Sequence, residues 1–216
     1  MKIEIWSDYV CPFCYIGKRR LEEALQETGL GLQAEVVFKA YQLDPDAPES
    51  SDESVVAGLA QKYGISQQEA QQMLQNVAEQ AKTVGLQYDV DAMRSANTWN
   101  AHRLAKFAEQ EGVAAEVAER LMKGHFVLGE AIGTEDALLN IAEEAGIERT
   151  RAAEMLASDE FSDEVQADIT EARQLGVQGV PFFVINRQYA ISGAQPTEAF
   201  AGALQKVAEE ESSSGQ

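Results

Sequence analysis

Apolar and polar residues alternate from the first position. Met1-Lys2-Ile3-Glu4-Ile5-Trp6 repeats with a period of two, the pattern of a half-buried strand. After Ser7-Asp8-Tyr9-Val10 the period changes. From Cys14 to Gln26, the residues Ile16, Leu21, Ala24 and Leu25 fall near one helical face with charges opposite, which predicts an amphipathic helix. Gly29-Leu30-Gly31 marks its stop. Glu35 to Tyr41, rich in β-branched and aromatic residues, predicts a second strand. Asp44 to Asp52 carries two prolines among small polar residues and reads as a linker.

A long region with almost no strand pattern follows. Ser54 to Tyr63, Ser66 to Val84, about Ser95 to Glu111, Val113 to Leu128, Thr134 to Ala145 and Arg149 to Gln174 read as helices, whole or broken. Ser66-Gln67-Gln68-Glu69 has the form of a capping box. Strand patterns return at Phe182 to Ile185 and Gln188 to Ile191, joined around Asn186-Arg187 as a hairpin. Arginine tolerates positive φ poorly, so a turn longer than two residues, or of another type, is expected there. Pro196 opens a last helix through Ala199, Leu204 and Val207, and Glu211 to Gln216 reads as a frayed tail. Strands occur only near the two ends. The simplest packing joins those ends into one α/β domain of residues 1–47 and 176–216, with residues 48–175 inserted as a helical domain.

The two cysteines sit where the first strand hands over to the first helix, as Cys11-Pro12-Phe13-Cys14. Pro12 suits the first helical turn, where its missing N–H is not needed. Cys11 then lies where unpaired backbone N–H groups and the helix dipole favour negative charge, and a thiol so placed ionises more easily than a free cysteine. The thiolate is the attacking species in disulfide exchange. Cys14, one turn on, is within reach to close an intramolecular disulfide. The pair therefore reads as nucleophile and resolving thiol. Asp8 opposes ionisation by its charge. A zinc site is the competing reading of two such cysteines, but it needs two more ligands, and His102 and His125 lack the usual spacing. No metal is expected.

Composition narrows the function further. The 216 residues carry 36 acids against 17 bases, a formal charge of −19, which repels nucleic-acid phosphate and anionic membrane alike. No run is apolar enough to span a membrane. Glu4 and Asp8 interrupt any signal-peptide pattern at the start, and two cysteines in a reducing compartment suit catalysis better than structure. The chain reads as cytoplasmic.

Gly176-Val177-Gln178-Gly179-Val180-Pro181-Phe182-Phe183 places a proline at the entry to a strongly apolar strand, where it breaks no ladder bond. Local sequence admits both trans and cis at Val180–Pro181. In the cis form the Val180 backbone would be exposed to pair with an extended substrate segment.

Together these segments resemble the DsbA-like branch of the thioredoxin superfamily, over nearly the whole chain. Ser7-Asp8-Tyr9-Val10-Cys11-Pro12-Phe13-Cys14-Tyr15-Ile16-Gly17 is similar to the active-site signature of the FrnE-like subgroup. Asn97-Thr98 with Ala101-His102-Arg103 resembles its helical-domain motif. Gly179-Val180-Pro181-Phe182-Phe183 and Ser192-Gly193-Ala194-Gln195 resemble its cis-proline loop and last strand. The resemblance implies a thioredoxin-like fold with a large all-α insertion and a thiol–disulfide oxidoreductase or disulfide isomerase. Cys11 and Cys14 would be the redox pair and Pro181 the cis-proline, with Pro12, Phe13 and Val180 beside the substrate. It implies no tightly bound cofactor and a protein or small-molecule disulfide or thiol as partner, and it leaves the oligomeric state open. Related 2-hydroxychromene-2-carboxylate isomerases and kappa-class glutathione transferases use glutathione and typically carry serine at the first catalytic position. Glutathione is thus a candidate co-substrate, and an isomerase or transferase acting on a small aromatic compound is the alternative enzyme. A non-catalytic thioredoxin-like binding module is the other alternative.

On the helix near residue 100, Ala101, Leu104, Ala105 and Ala108 form one apolar stripe. Trp99, His102, Arg103 and Lys106 share another face. That second face is either solvated or the wall of a cleft, where Trp99, His102 and Arg103 would bind substrate by stacking and carboxylate pairing. His125, beside Phe126, reads as structural or as a pocket residue.

Overall fold

The computed structural model describes residues 1–51 and 53–214. Strand β1 (Lys2–Ser7) lies between β2 (Glu35–Ala40), which runs parallel to it, and the antiparallel β3 (Phe182–Ile185). Strand β4 (Tyr189–Ser192) completes the order β2-β1-β3-β4. A parallel neighbour demands a crossover, and helix α1 (Pro12–Thr28) supplies it. Between β2 and β3 run α2 (Val55–Tyr63), α3 (Gln67–Lys82), α4 (Trp99–Glu111), α5 (Ala114–Phe126), α6 (Glu135–Glu144), α7 (Arg149–Ala157) and α8 (Ser162–Gln174), and α9 (Thr197–Ser214) closes the chain.

The sheet is covered on both faces. Ile3, Ile5, Phe183 and Ile185 pack with Leu21 and Leu25 of α1 and Phe200, Leu204 and Val207 of α9. On the other face Trp6 and Val184 pack with Ala172 of α8 and with Val177. The central place of β1 corrects the expectation of a half-buried strand: Ile3 to Ser7 are all buried, Glu4 included. Glu4 tolerates burial because Arg187 pairs with it. The hairpin turn is longer than two residues, as expected, yet it takes an arginine into positive φ. Asn186 and Arg187 both take positive φ, 50° and 57°, and Gln188 lengthens the connection by one residue before β4. Three anchors hold the unfavourable Arg187 conformation: Asn186 exchanges hydrogen bonds with Lys2 at 2.7 and 2.8 Å, and Arg187 binds Glu4 and Glu171.

The helical block is not a separate core. Cys11, Cys14, Tyr15 and Ile16 belong to one cluster with Leu104, Phe107, Leu121, Phe126 and Leu138 of α4, α5 and α6, so the helix carrying the cysteines is packed by the insertion. Asp168 ties α8 to the rest. It receives Lys39 and Lys106 at 2.6 Å each and the Ala40 N–H at 3.0 Å. Arg149 to Gln174 breaks at residues 158–161, where Arg103 draws in the carbonyls of Met155, Ser158 and Glu160 and Phe161 takes φ 64°. The capping box at Ser66 and Glu69 forms as expected. The tail expected to fray from Glu211 is helical to Ser214, while Gly215, Gln216 and Asp52 of the linker lie outside the described residues.

Candidate active site

Cys11 is the N-cap residue of α1, with extended backbone (φ −89°, ψ 112°) and Pro12 in the first turn behind it. Its N–H donates to the Asp8 carbonyl at 3.0 Å, and its own carbonyl accepts from Cys14 N–H at 3.0 Å. The turn thus holds the two thiols one helical turn apart. Both are free and buried. Cys11 Sγ lies 3.5 Å from the carbonyl oxygen of Val180, and the Val180–Pro181 bond is cis. The loop before β3 therefore stands directly against the nucleophile position. Phe13, 38% exposed, is the apolar side chain offered to solvent between the cysteines.

The two thiols differ in setting. Burial pushes the Cys14 thiol well above the ordinary cysteine value, and its hydrogen bond with Cys11 adds to this. The Asp8 N–H and the Ser7 hydroxyl pull in the opposite direction. At neutral pH Cys14 is a protonated thiol.

Several residues the sequence did not single out complete the site. Tyr88, in the loop after α3, donates its hydroxyl to the Pro12 carbonyl at 2.8 Å and stacks on Phe126 at 4.7 Å. The insertion thereby grips the peptide between the cysteines. Its 76-residue separation from Pro12 leaves no local pattern from which the contact is legible. Gly17 lies against Pro181 and Phe183, where a side chain would crowd the loop. Lys18 is buried and neutralised by Glu22 and Glu119.

The face of α4 proposed as a cleft wall is different from either expectation. Arg103 is 4% exposed, and its guanidinium is spent on Asn100 and the backbone carbonyls at the α7–α8 break. It is a structural clasp and does not reach a cleft. His102 is also buried. Its Nε2 stands 3.0 Å from the Tyr41 carbonyl and 3.5 Å from Asp8 Oδ1, so it backs the loop preceding Cys11 and does not face solvent. Trp99 is half-buried beside a cavity of about 280 Å³ shared with Gln42, Pro45, Asn97 and Gly133, which includes no residue of α1 or of the Val180–Pro181 loop. The structure brings together Cys11, Cys14, Pro12, Phe13, Val180 and Pro181 and leaves Trp99 and Arg103 apart from them. Helical spacing identified the shared face correctly, but not the α7–α8 segment that covers it.

A sheet of order β2-β1-β3-β4, a dithiol turn at the start of its crossover helix and a cis proline facing that turn define a thioredoxin-fold dithiol protein. The chain belongs to the DSBA-like thioredoxin domain family, whose sequence model matches residues 2–205, a family of thiol–disulfide oxidoreductases. It is similar to the probable DsbA oxidoreductase of Streptomyces coelicolor, with 37% identity, a TM-score of 0.92 and coverage of 97% of this chain and 91% of that one. In fold it also resembles a 2-hydroxychromene-2-carboxylate isomerase (TM-score 0.72, 15% identity, 99% and 98% of the two chains). The cytosolic disulfide reductase DsbM from Pseudomonas aeruginosa, in a structure with GSH, gives a TM-score of 0.67 at 18% identity over 97% of this chain and 100% of that one.

Proposed function

We propose that the protein exchanges disulfides through Cys11 and Cys14. Cys11 thiolate attacks a substrate disulfide and forms a mixed disulfide. Cys14 then attacks Cys11, releases the substrate thiol and leaves the enzyme oxidised; substrate oxidation is the reverse. The backbone of Val180, ahead of Pro181, pairs with an extended segment of the substrate. The 3.5 Å approach of Cys11 Sγ to the Val180 carbonyl carries this reading, because backbone able to pair with an extended peptide then lies beside the reacting sulfur.

The substrate is a protein or small-molecule disulfide, and glutathione is the co-substrate that returns the pair to the dithiol. A reducing cytoplasm favours net reduction or isomerisation over oxidation. The division into residues 1–47 with 176–216 and an inserted 48–175 belongs to the same proposal. Support comes from the placement of all four strands, α1 and α9 in the first part. Helix α8, although on the insertion side of that boundary, serves the sheet by covering Trp6 and Val184.

Reduction of insulin by glutathione tests the proposal. Turnover that requires both cysteines supports it. Turnover of a small aromatic substrate that survives Cys14→Ser, with no insulin reduction by the unmodified protein, would replace it with the glutathione-dependent isomerase.

A further inference from the structure

A groove of about 740 Å³ opens on the helical insertion, lined on one side by α3 and on the other by the loop 87–91, with Val127 adding apolar surface. Its volume falls within the range of about 300–1,000 Å³ that encloses bound ligands. The groove adjoins the dithiol turn. Tyr88 lines it and donates its hydroxyl to the Pro12 carbonyl at 2.8 Å. The same ring stacks on Tyr15, the residue after Cys14, with centroids 6.2 Å apart. The peptide between the cysteines thus has the Val180 carbonyl against Cys11 Sγ and a groove residue against Pro12.

The walls are held in place before any substrate arrives. The Asp89 N–H donates to the Phe126 carbonyl at 2.8 Å, and Val90 is buried. The Gln71 side chain reaches from α3 to Asp91 at 3.2 Å and so bridges the two walls. Seven of the 16 residues of α3 are glutamine or asparagine, so this wall offers hydrogen-bond donors and acceptors without charge, as a peptide backbone does. Gln72 and Asn76 pair with each other at 3.0 Å, while Gln75 and Gln87 are exposed.

Charge in the groove is one-sided. Glu79 is paired with Lys82 at 2.6 Å. Among the described residues Asp89 and Asp91 accept only from neutral donors, the Ala92 N–H and the Gln71 amide, which leaves two exposed carboxylates without a cation. Among the described residues no group of three or more His, Cys, Asp or Glu is placed to hold a metal ion, so a divalent ion is not the occupant that these carboxylates favour. Glutathione, with two carboxylates against one ammonium, gains nothing from them either. A polypeptide bearing lysine or arginine satisfies both walls, its backbone meeting the amides and its cations the aspartates.

We propose that this groove binds the segment flanking the reacting cysteine of a protein substrate and selects basic side chains there through Asp89 and Asp91. The inference rests on the proposed dithiol function and names the substrate class of that site.

Two synthetic peptides test it, each holding one cysteine in a disulfide with a neutral thiol and differing only in lysine or glutamate at the flanking positions. The reduced full chain is mixed with each, and the second-order rate constant of disulfide consumption is measured by stopped flow. The lysine peptide should react faster, and its advantage should shrink in ~1 M salt, where screening reaches about 3 Å. In D89N/D91N, which keeps the acceptor oxygens for Ala92 and Gln71, the lysine peptide should slow about fivefold and the glutamate peptide should speed up. Gln75→Lys, on the opposite wall, should move both peptides in the same directions. Equal change for the two peptides, or no change in either variant, overturns the proposal. Should D89N/D91N fail to fold, Gln75→Lys decides. If the unmodified protein consumes neither peptide disulfide, the dithiol reading fails and this inference falls with it; if it consumes both at the same rate, only this inference falls.

Discussion

Gly17 meets Pro181 so closely that a β-carbon on it would stand 3.0 Å from the proline Cγ and 3.1 Å from Phe183 Cζ. The helix that starts at the cysteines and the loop that faces them are in contact because this position has no side chain. Gly17→Ala gains up to about 1 kcal/mol of helix propensity and loses about 1–3 kcal/mol to overpacking. The expected result is a small fall in melting temperature with a larger fall in kcat/KM for insulin reduction, since Val180 moves with Pro181. Gly17→Val should deepen both. Unchanged kcat/KM in the valine variant would contradict the contact's role.

Cys14→Ser should leave the first attack intact and remove the second. With a peptide disulfide the variant should stop after one equivalent, held as a mixed disulfide on Cys11 that mass spectrometry detects. Cys11→Ser should form no adduct. Continued turnover by Cys14→Ser would remove the resolving role.

His125 makes stability depend on pH in a defined window. Its folded pKa, about 4, lies below the ordinary 6.5. The unfolded chain therefore binds a proton more readily, and stability is complete above pH 6.5 and falls as pH drops through the folded value. At 1.36 kcal/mol per pKa unit the loss is roughly 3 kcal/mol once both forms are protonated. Glu119 adds to the acid side. Burial opposes its charged form, but Lys18, Tyr15 and Arg19 outweigh this and hold its pKa below the usual carboxylate range, so its contribution disappears as pH falls below that range. Urea unfolding between neutral pH and pH 4 should show the slope, and H125Q should flatten its upper part. A variant with the same slope as the unmodified protein would rule out His125 as its source.

Tyr88→Phe should cost about 1 kcal/mol by deleting one hydrogen bond to Pro12 while keeping the Phe126 stack. The readout specific to the site is the reduction potential of the pair against glutathione, which should move because the peptide between the cysteines loses its anchor. Loss of stability with an unmoved potential would make Tyr88 a packing residue only.

The sequence carried the ends of the fold better than its middle. Strand and helix periods, the Cys11-Pro12-Phe13-Cys14 placement and Pro181 before an apolar strand were legible because each depends on neighbours within a few residues. The alternation of β1 implies a half-buried strand, and only its pairing with both β2 and β3 shows that Glu4 is central and that Arg187 waits across the sheet. Arg103 and His102 were misread for the same reason. Spacing assigns residues to a helix face, but Glu160, Tyr41 and Asp8, which cover that face, come from distant segments. Tyr88 was invisible, as one hydroxyl reaching across the insertion leaves no periodic trace.

The proposed exchange depends on an asymmetry between the two thiols: Cys11 attacks, and Cys14 waits as a buried thiol that bonds to it. The most direct measurement labels the reduced protein with limiting iodoacetamide at neutral pH, maps the label, and then oxidises an unlabelled sample for disulfide mapping. The expected result is label on Cys11 with Cys14 unmodified, and a single Cys11–Cys14 link on oxidation. Equal labelling of both cysteines, or oxidation that leaves them unlinked, would contradict it.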